Sequence, residues 1–120
     1  MAQLPEAKLI HVVEDDPGVN DSLTVLFRNM GFEVASYRDA NTFMDKAPPE
    51  ATDTVVVDLM LPGIAGVSLI KWLQALKNAP RIVAISGQPQ AVIDSQLRGM
   101  HVPHLVRKPV TDRSFVALFS

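Results

Sequence analysis

The sequence predicts a doubly wound α/β domain built on a five-stranded parallel sheet. Apolar, β-branched runs of strand length alternate with helical apolar spacing about five times along 120 residues. Strands alternating with helices argue for parallel pairing through right-handed crossovers. The run TVVVD is apolar without alternation, as a strand buried on both faces should be. Charged groups stand where several of these runs stop, and such sheets bind ligands at the carboxyl ends of their strands.

Residues 8–13 read as the first strand. Asp16-Pro17 then marks a helix start, with a carboxylate at the N-cap and proline at the first helical position. Val19, Leu23, Leu26, Phe27 and Met30 keep helical spacing, and Gly31 suits the C-terminal cap. Residues 32–36 form a short second strand. Asp39 opens a second helix to Ala47, which Pro48-Pro49 ends. Residues 54–57 run into Asp58 as the third strand.

The segment 59–66 is a loop in which Gly63 and Gly66 serve backbone shape. Val67, Leu69, Ile70, Leu73 and Leu76 line a third helix. Residues 81–85 are the fourth strand. Ser86-Gly87-Gln88-Pro89 is a loop opening a fourth helix to about Arg98. Residues 103–106 form the fifth strand. Thr111 or Asp112 caps a last helix ending at Ser120. No internal repeat, linker or low-complexity segment interrupts the pattern.

Composition narrows the function. Hydrophobic residues make up 48%, enough for a core without disulfides or a structural metal. The absence of cysteine excludes thiol catalysis and zinc–thiolate sites and fits an intracellular location. No apolar run approaches the ~20 residues of a membrane span. The opening MAQLPEAK lacks signal-peptide character, so a cytoplasmic protein without membrane contact is expected. The net charge of −2 hides an asymmetry. Residues 1–58 carry eleven acids and four bases, a net −7; residues 59–120 carry seven bases and two acids, a net +5. Without a basic run, direct nucleic-acid contact by this domain is not expected.

A doubly wound sheet of strand order 2-1-3-4-5 sets the ends of the first and third strands side by side. That order would bring Glu14, Asp15 and Asp58 together, with Ser86 and Lys108 on the same rim. Crowded carboxylates repel one another, so the cluster requires a cation or a chemical task.

From about Leu9 to the last helix, these residues resemble a response-regulator receiver domain of two-component signalling, a flavodoxin-like fold. The resemblance rests on the acidic pair Glu14-Asp15 after strand one and on Asp58 followed by LMLPGIAG. It rests also on the hydroxyl of Ser86 ending strand four and on Lys108-Pro109 after strand five. The HVVEDD opening, with a GF-V pair after helix one, resembles the FixJ-like branch.

The resemblance implies that Asp58 accepts a phosphoryl group from a sensor histidine kinase or phosphotransfer protein. A carboxylate can attack phosphorus and form an aspartyl phosphate once the charge on both reactants is neutralised. Mg²⁺, which prefers oxygen ligands, is the implied cofactor. Asp15 and Asp58 would bind it directly, Glu14 through a water, and Met60 through its backbone carbonyl. Lys108 would pair with Asp58 or a phosphoryl oxygen, and Ser86 would donate to another. Pro109 is expected to follow a cis peptide bond that aims the lysine inward. Phosphorylation would switch a binding surface, and a homodimer face is expected on the fourth helix, fifth strand and fifth helix. The domain is expected to be a signalling switch with weak self-catalysed phosphate chemistry, not an enzyme by function.

Bland roles suit other residues. Asp16 is expected to be only an N-cap, His11 a core histidine, and Trp72 a packing residue. His101 and His104 lack a third ligand for zinc. The sequence also departs from the family pattern. Leu105 stands where many receivers carry an aromatic residue, so an aromatic-rotamer switch is not expected. Pro103 and the early Gly99 point to a short or displaced fourth helix. Three alternatives remain: a receiver-like interaction module that has lost the switch, a flavin binder, and an aspartate-nucleophile phosphatase. The acids after strand one disfavour the flavin binder and match the phosphatase pattern poorly. The abrupt end at Phe119-Ser120 favours a domain cut from a longer regulator over a stand-alone receiver.

Overall fold

The computed structural model describes residues 8–46, 48–61 and 63–119. The expectations for the MAQLPEA opening, for the end of the second helix at Ala47, for Pro62 and for Ser120 lie outside the described residues.

Five strands and five helices alternate along the described chain: β1 (Leu9–Val13), α1 (Pro17–Asn29), β2 (Glu33–Tyr37), α2 (Ala40–Met44), β3 (Thr54–Asp58), α3 (Gly66–Gln74), β4 (Arg81–Ser86), α4 (Gln90–Gln96), β5 (Leu105–Arg107) and α5 (Asp112–Phe119). The strands form one parallel sheet of order β2-β1-β3-β4-β5. The predicted strand order therefore holds.

Alternation of side chains across the pleat gives the sheet two apolar faces. Val13, Val55, Val57, Ala84 and Leu69 belong to one core, toward α2, α3 and α4. Ile10, Val12, Val56, Ile85, Phe27 and Phe115 belong to the other, toward α1 and α5. All of β3 is buried, which explains its lack of alternation.

Capping chemistry sets several boundaries. The Asp16 carboxylate accepts from Gly18 N and Val19 N at the start of α1, and the first helical residue is Pro17. Asp39 does the same for Thr42 N at α2. Gly31, with φ of 97°, follows the C-cap of α1, where an L side chain would be strained.

Some boundaries move. The fifth strand begins at Leu105, not Pro103. Pro103 has no N–H to give the ladder, and the first bond from this segment is His104 O accepting from Ala84 N. The third and fourth helices end at Gln74 and Gln96, before the expected Leu76 and Arg98. The fourth helix is short, as the sequence suggested.

Candidate functional site: an acidic cluster sharing one lysine

The carboxyl ends of β1, β3, β4 and the segment after β5 converge. Glu14 follows β1 directly, and its N–H donates to Tyr37 O at 3.0 Å, extending the ladder by one residue. The chain then turns through exposed Asp15 into the Asp16 cap. Asp16 spends its carboxylate on helix N–H groups, at 2.9 Å from Gly18 N and 3.2 Å from Val19 N. Glu14 is fully buried, and Asp58 is only 3% exposed.

Glu14, Asp15 and Asp58 each offer a carboxylate oxygen within 4.8 Å of the other two. Among the described residues this is the sole grouping of acids and histidines with such spacing; His101 and His104 join none. Asp58 Oδ1 accepts from Met60 N at 2.9 Å. Its Oδ2 accepts from Lys108 Nζ at 3.0 Å. The same ammonium stands 2.7 Å from Glu14 Oε1, so Lys108 is shared between two buried carboxylates. This ion pair is the contact that partners the buried Glu14 Oε1.

Electrostatics follow from this crowding. Burial raises the Glu14 carboxyl from 4.5 to about 7, helped by neighbouring Asp58 and opposed by Lys108 and the Asp16 N–H. Burial by itself would lower Lys108, but Glu14 and Asp58 outweigh it and its pKa is raised. One ammonium therefore pairs with two of the three clustered carboxylates, and among the described residues Asp15 is left without a cation.

Ser86, fully buried at the end of β4, accepts from Gln88 N through Oγ at 3.0 Å. Its carbonyl accepts from Lys108 N at 2.9 Å, which ties the lysine to the strand end. The Lys108–Pro109 peptide is cis. Met60 keeps its side chain half exposed while its N–H holds Asp58. The predicted residues thus meet on one rim.

The donor set is entirely oxygen and anionic, and three carboxylates share one ammonium's neighbourhood. That chemistry suits a hard divalent cation such as Mg²⁺ and disfavours softer metals that seek thiolate or imidazole. Glu14, Asp15 and Asp58 are the residues that could hold it.

Bland expectations are met elsewhere. His11 is buried in β1, with Nε2 2.9 Å from Asp53 Oδ2. It stacks on Tyr37 and meets Phe43 edge-on. Trp72 packs on the core and meets Phe43 edge-on.

Sequence reasoning missed the partner of His11, because Asp53 lies 42 residues away. It also missed Asn20, a buried polar residue of α1 whose amide reaches Glu14 O and Tyr37 O. A signal for Asn20 was present, since it lies three residues before Leu23 on the buried stripe.

Comparison with known proteins agrees with this geometry. The protein-family model described as response regulator receiver domain matches residues 10–120. Transcriptional regulatory protein FixJ of Azorhizobium caulinodans is 27% identical over 114 residues, covering 95% of this chain and 54% of that protein. Transcriptional activator protein PfeR of Pseudomonas aeruginosa is 34% identical over 97 residues, covering 80% of this chain and 32% of that protein. The chain spans about half the length of the FixJ relative. A putative response regulator from Chloroflexus aurantiacus has a TM-score of 0.82 at 20% identity, covering 95% of both chains, which shows the shared fold. Response regulator StyR gives 0.76 at 27% identity, covering 92% of this chain and 56% of that one. With the acidic pair, the strand-end aspartate, the hydroxyl and the Lys-Pro all on one rim of this fold, the chain belongs to the response regulator receiver domain family.

Proposed function

We propose that this receiver is phosphorylated on Asp58 by the phosphohistidine of a sensor histidine kinase or phosphotransfer protein. The observation that carries the reading is the placement of Asp58. Its carboxylate is held at both oxygens, by Met60 N–H and by Lys108, beside two further acids. An Asp58 oxygen forms the bond to phosphorus as the phosphorus–nitrogen bond breaks, and the electron pair leaves with the imidazole. Such transfer needs positioning and charge stabilisation more than covalent help. On this reading Lys108, now on Asp58, follows the new phosphoryl oxygens, and Ser86 Oγ donates to one of them. Asp15, Asp58 and the Met60 carbonyl would hold Mg²⁺ directly and Glu14 through a water, and the ion would supply the positive charge that lets two anions meet. Slow self-catalysed loss of the phosphate belongs to the same reading.

The altered surface would be the face of α4, β5 and α5, where a homodimer or an output partner binds. A second reading, a receiver that no longer switches, draws on Leu105. That residue is partly buried and packed on the core, and it has no hydroxyl or ring to move.

One experiment separates the two readings. The protein is incubated with a small acyl phosphate and Mg²⁺, and intact mass is recorded. Phosphate uptake by wild type and none by Asp58→Asn is the expected result. No uptake by wild type would favour the non-switching module, and equal uptake by Asp58→Asn would remove the site assignment.

A further inference from the structure

Asn20 is an anomaly on α1. It is 7% exposed and shares the buried stripe with Leu23 and Phe27. A buried amide must find partners for its donors. Its Nδ2 donates to Glu14 O at 3.0 Å and to Tyr37 O at 3.1 Å. Tyr37 O also accepts from Glu14 N, and Asn20 N donates to Asp16 O at 2.9 Å. One residue therefore grips the acidic turn at both ends and fastens it to the end of β2.

The turn needs such a grip. Three carboxylates within 4.8 Å of one another push apart. Asp15 is exposed, so packing does not fix it; its place follows the backbone of the turn. The direct tie from Asp16 N to Glu14 Oε2 is long, at 3.3 Å.

We propose that Asn20 is a positioning residue for the metal-binding acids, its amide setting the direction in which the chain leaves β1. Glu14 and Asp15 converge on Asp58 because that direction is fixed. This inference rests on the reading of the cluster as a Mg²⁺ site.

Asn20→Leu keeps the branched shape and the number of heavy atoms and removes both donors. Calorimetric titration of the whole chain with Mg²⁺ should show a dissociation constant about tenfold or more above wild type, in the range for outer-shell partners of a metal site. Phosphate uptake should recover toward the wild-type rate at saturating Mg²⁺. Thr24→Val serves as the control. It removes the bonds from Thr24 Oγ1 to Asn20 O, at 2.9 Å, and to Asn20 Oδ1, at 3.5 Å, and leaves both Nδ2 donors in place. Its Mg²⁺ affinity should match wild type even where its melting temperature falls. If Asn20→Leu does not fold, Asn20→Ala takes its place. A variant that melts earlier but binds Mg²⁺ like wild type makes Asn20 a structural brace and overturns the inference. Wild type that binds no Mg²⁺ overturns the site reading as well, a result distinct from a null effect in the variant.

Discussion

Gly66→Ala tests how closely the loop after Asp58 is built. Gly66 opens α3 and is buried. A Cβ added there would lie 2.2 Å from Asp58 O, 2.7 Å from Leu59 Cα and 3.0 Å from Asp58 C. Ordinary contact starts at 3.4 Å, so the nearest approach is more than an ångström short. All three obstacles are backbone atoms, which cannot rotate aside. Overpacking of this kind costs roughly 1–3 kcal/mol or more, and the upper end applies when backbone must move. Alanine returns at most about 1 kcal/mol through helix propensity and unfolded-chain entropy. The net loss is then about 2 kcal/mol, which for a domain of this size lowers the melting temperature by roughly 8 °C.

Gly18→Ala is the internal comparison. Its Cβ would meet only Asp16 Oδ1, at 3.3 Å, a side-chain atom that can give. That variant should be neutral or stabilised by up to about 0.5 kcal/mol. Thermal and urea unfolding followed by circular dichroism measure both. Because the clash falls on the carbonyl of Asp58, Gly66→Ala should also take up phosphate slowly at temperatures where it is folded. Gly66→Ala within about 0.5 kcal/mol of wild type, or Gly18→Ala as damaging as Gly66→Ala, would refute the steric reasoning.

Three other perturbations address the charges. With divalent metal chelated, Glu14 titrates near pH 7 in the folded protein instead of 4.5. The folded state then holds a proton that the unfolded chain has released, so the contribution is complete below pH 4.5 and is lost as pH rises through 7. Wild type should therefore lose stability relative to Glu14→Gln across that window, and parallel urea midpoints would contradict the assignment. Lys108→Ala strands two carboxylates. The loss should be about 2–3 kcal/mol, below the ~3–5 of a fully buried pair because the lysine side chain keeps 23% exposure. Added Mg²⁺ should raise the melting temperature of that variant more than that of wild type, and an equal rise would count against a metal in the cluster. Asp53→Ala removes the partner of a buried His11 nitrogen and should cost about 1–3 kcal/mol, with Asp53→Asn costing less in the same unfolding assay.

The candidate site was legible because most of its residues stand at or just past a strand end, where apolar runs give way to polar residues. Glu14, Asp58, Ser86 and Lys108 all carry that mark, and parallel pairing of β1 with β3 and β3 with β4 brings them together. The sharing of Lys108 was not legible. A pairwise view joins Lys108 to Asp58, yet its shorter contact is to Glu14, and only the folded rim decides how one ammonium divides itself. His11 was correctly read as buried, but burial of an imidazole implies a partner without naming it. The fifth strand was begun too early because proline is tolerated at a strand start, whereas the missing N–H of Pro103 delays the ladder to Leu105.

Leu105 bears on how a phosphoryl group on Asp58 would be read. Ser86 Oγ now accepts from Gln88 N, just before α4, and Ser86 O accepts from Lys108 N. On the proposed reading, a Ser86 side chain drawn toward the phosphate carries Oγ away from Gln88 N and loosens the start of a seven-residue helix. In a receiver with an aromatic residue at this position, the emptied space is filled by the ring. Leu105 is aliphatic, pairs with Ala84 in the sheet and already packs on the core. It can respond only by a rotamer change within that packing, without exchanging a hydrogen bond. The coupling then runs mainly through Gln88 and α4, where Gln90 meets Arg107 of β5 at 2.8 Å. If the proposed dimer face on α4, β5 and α5 holds, Arg107→Ala should loosen α4 from β5 and weaken self-association in beryllofluoride, measured by sedimentation with and without it, while leaving phosphate uptake by the protein unchanged. If uptake falls instead, Arg107 acts on the chemistry and the separation of site from readout is wrong.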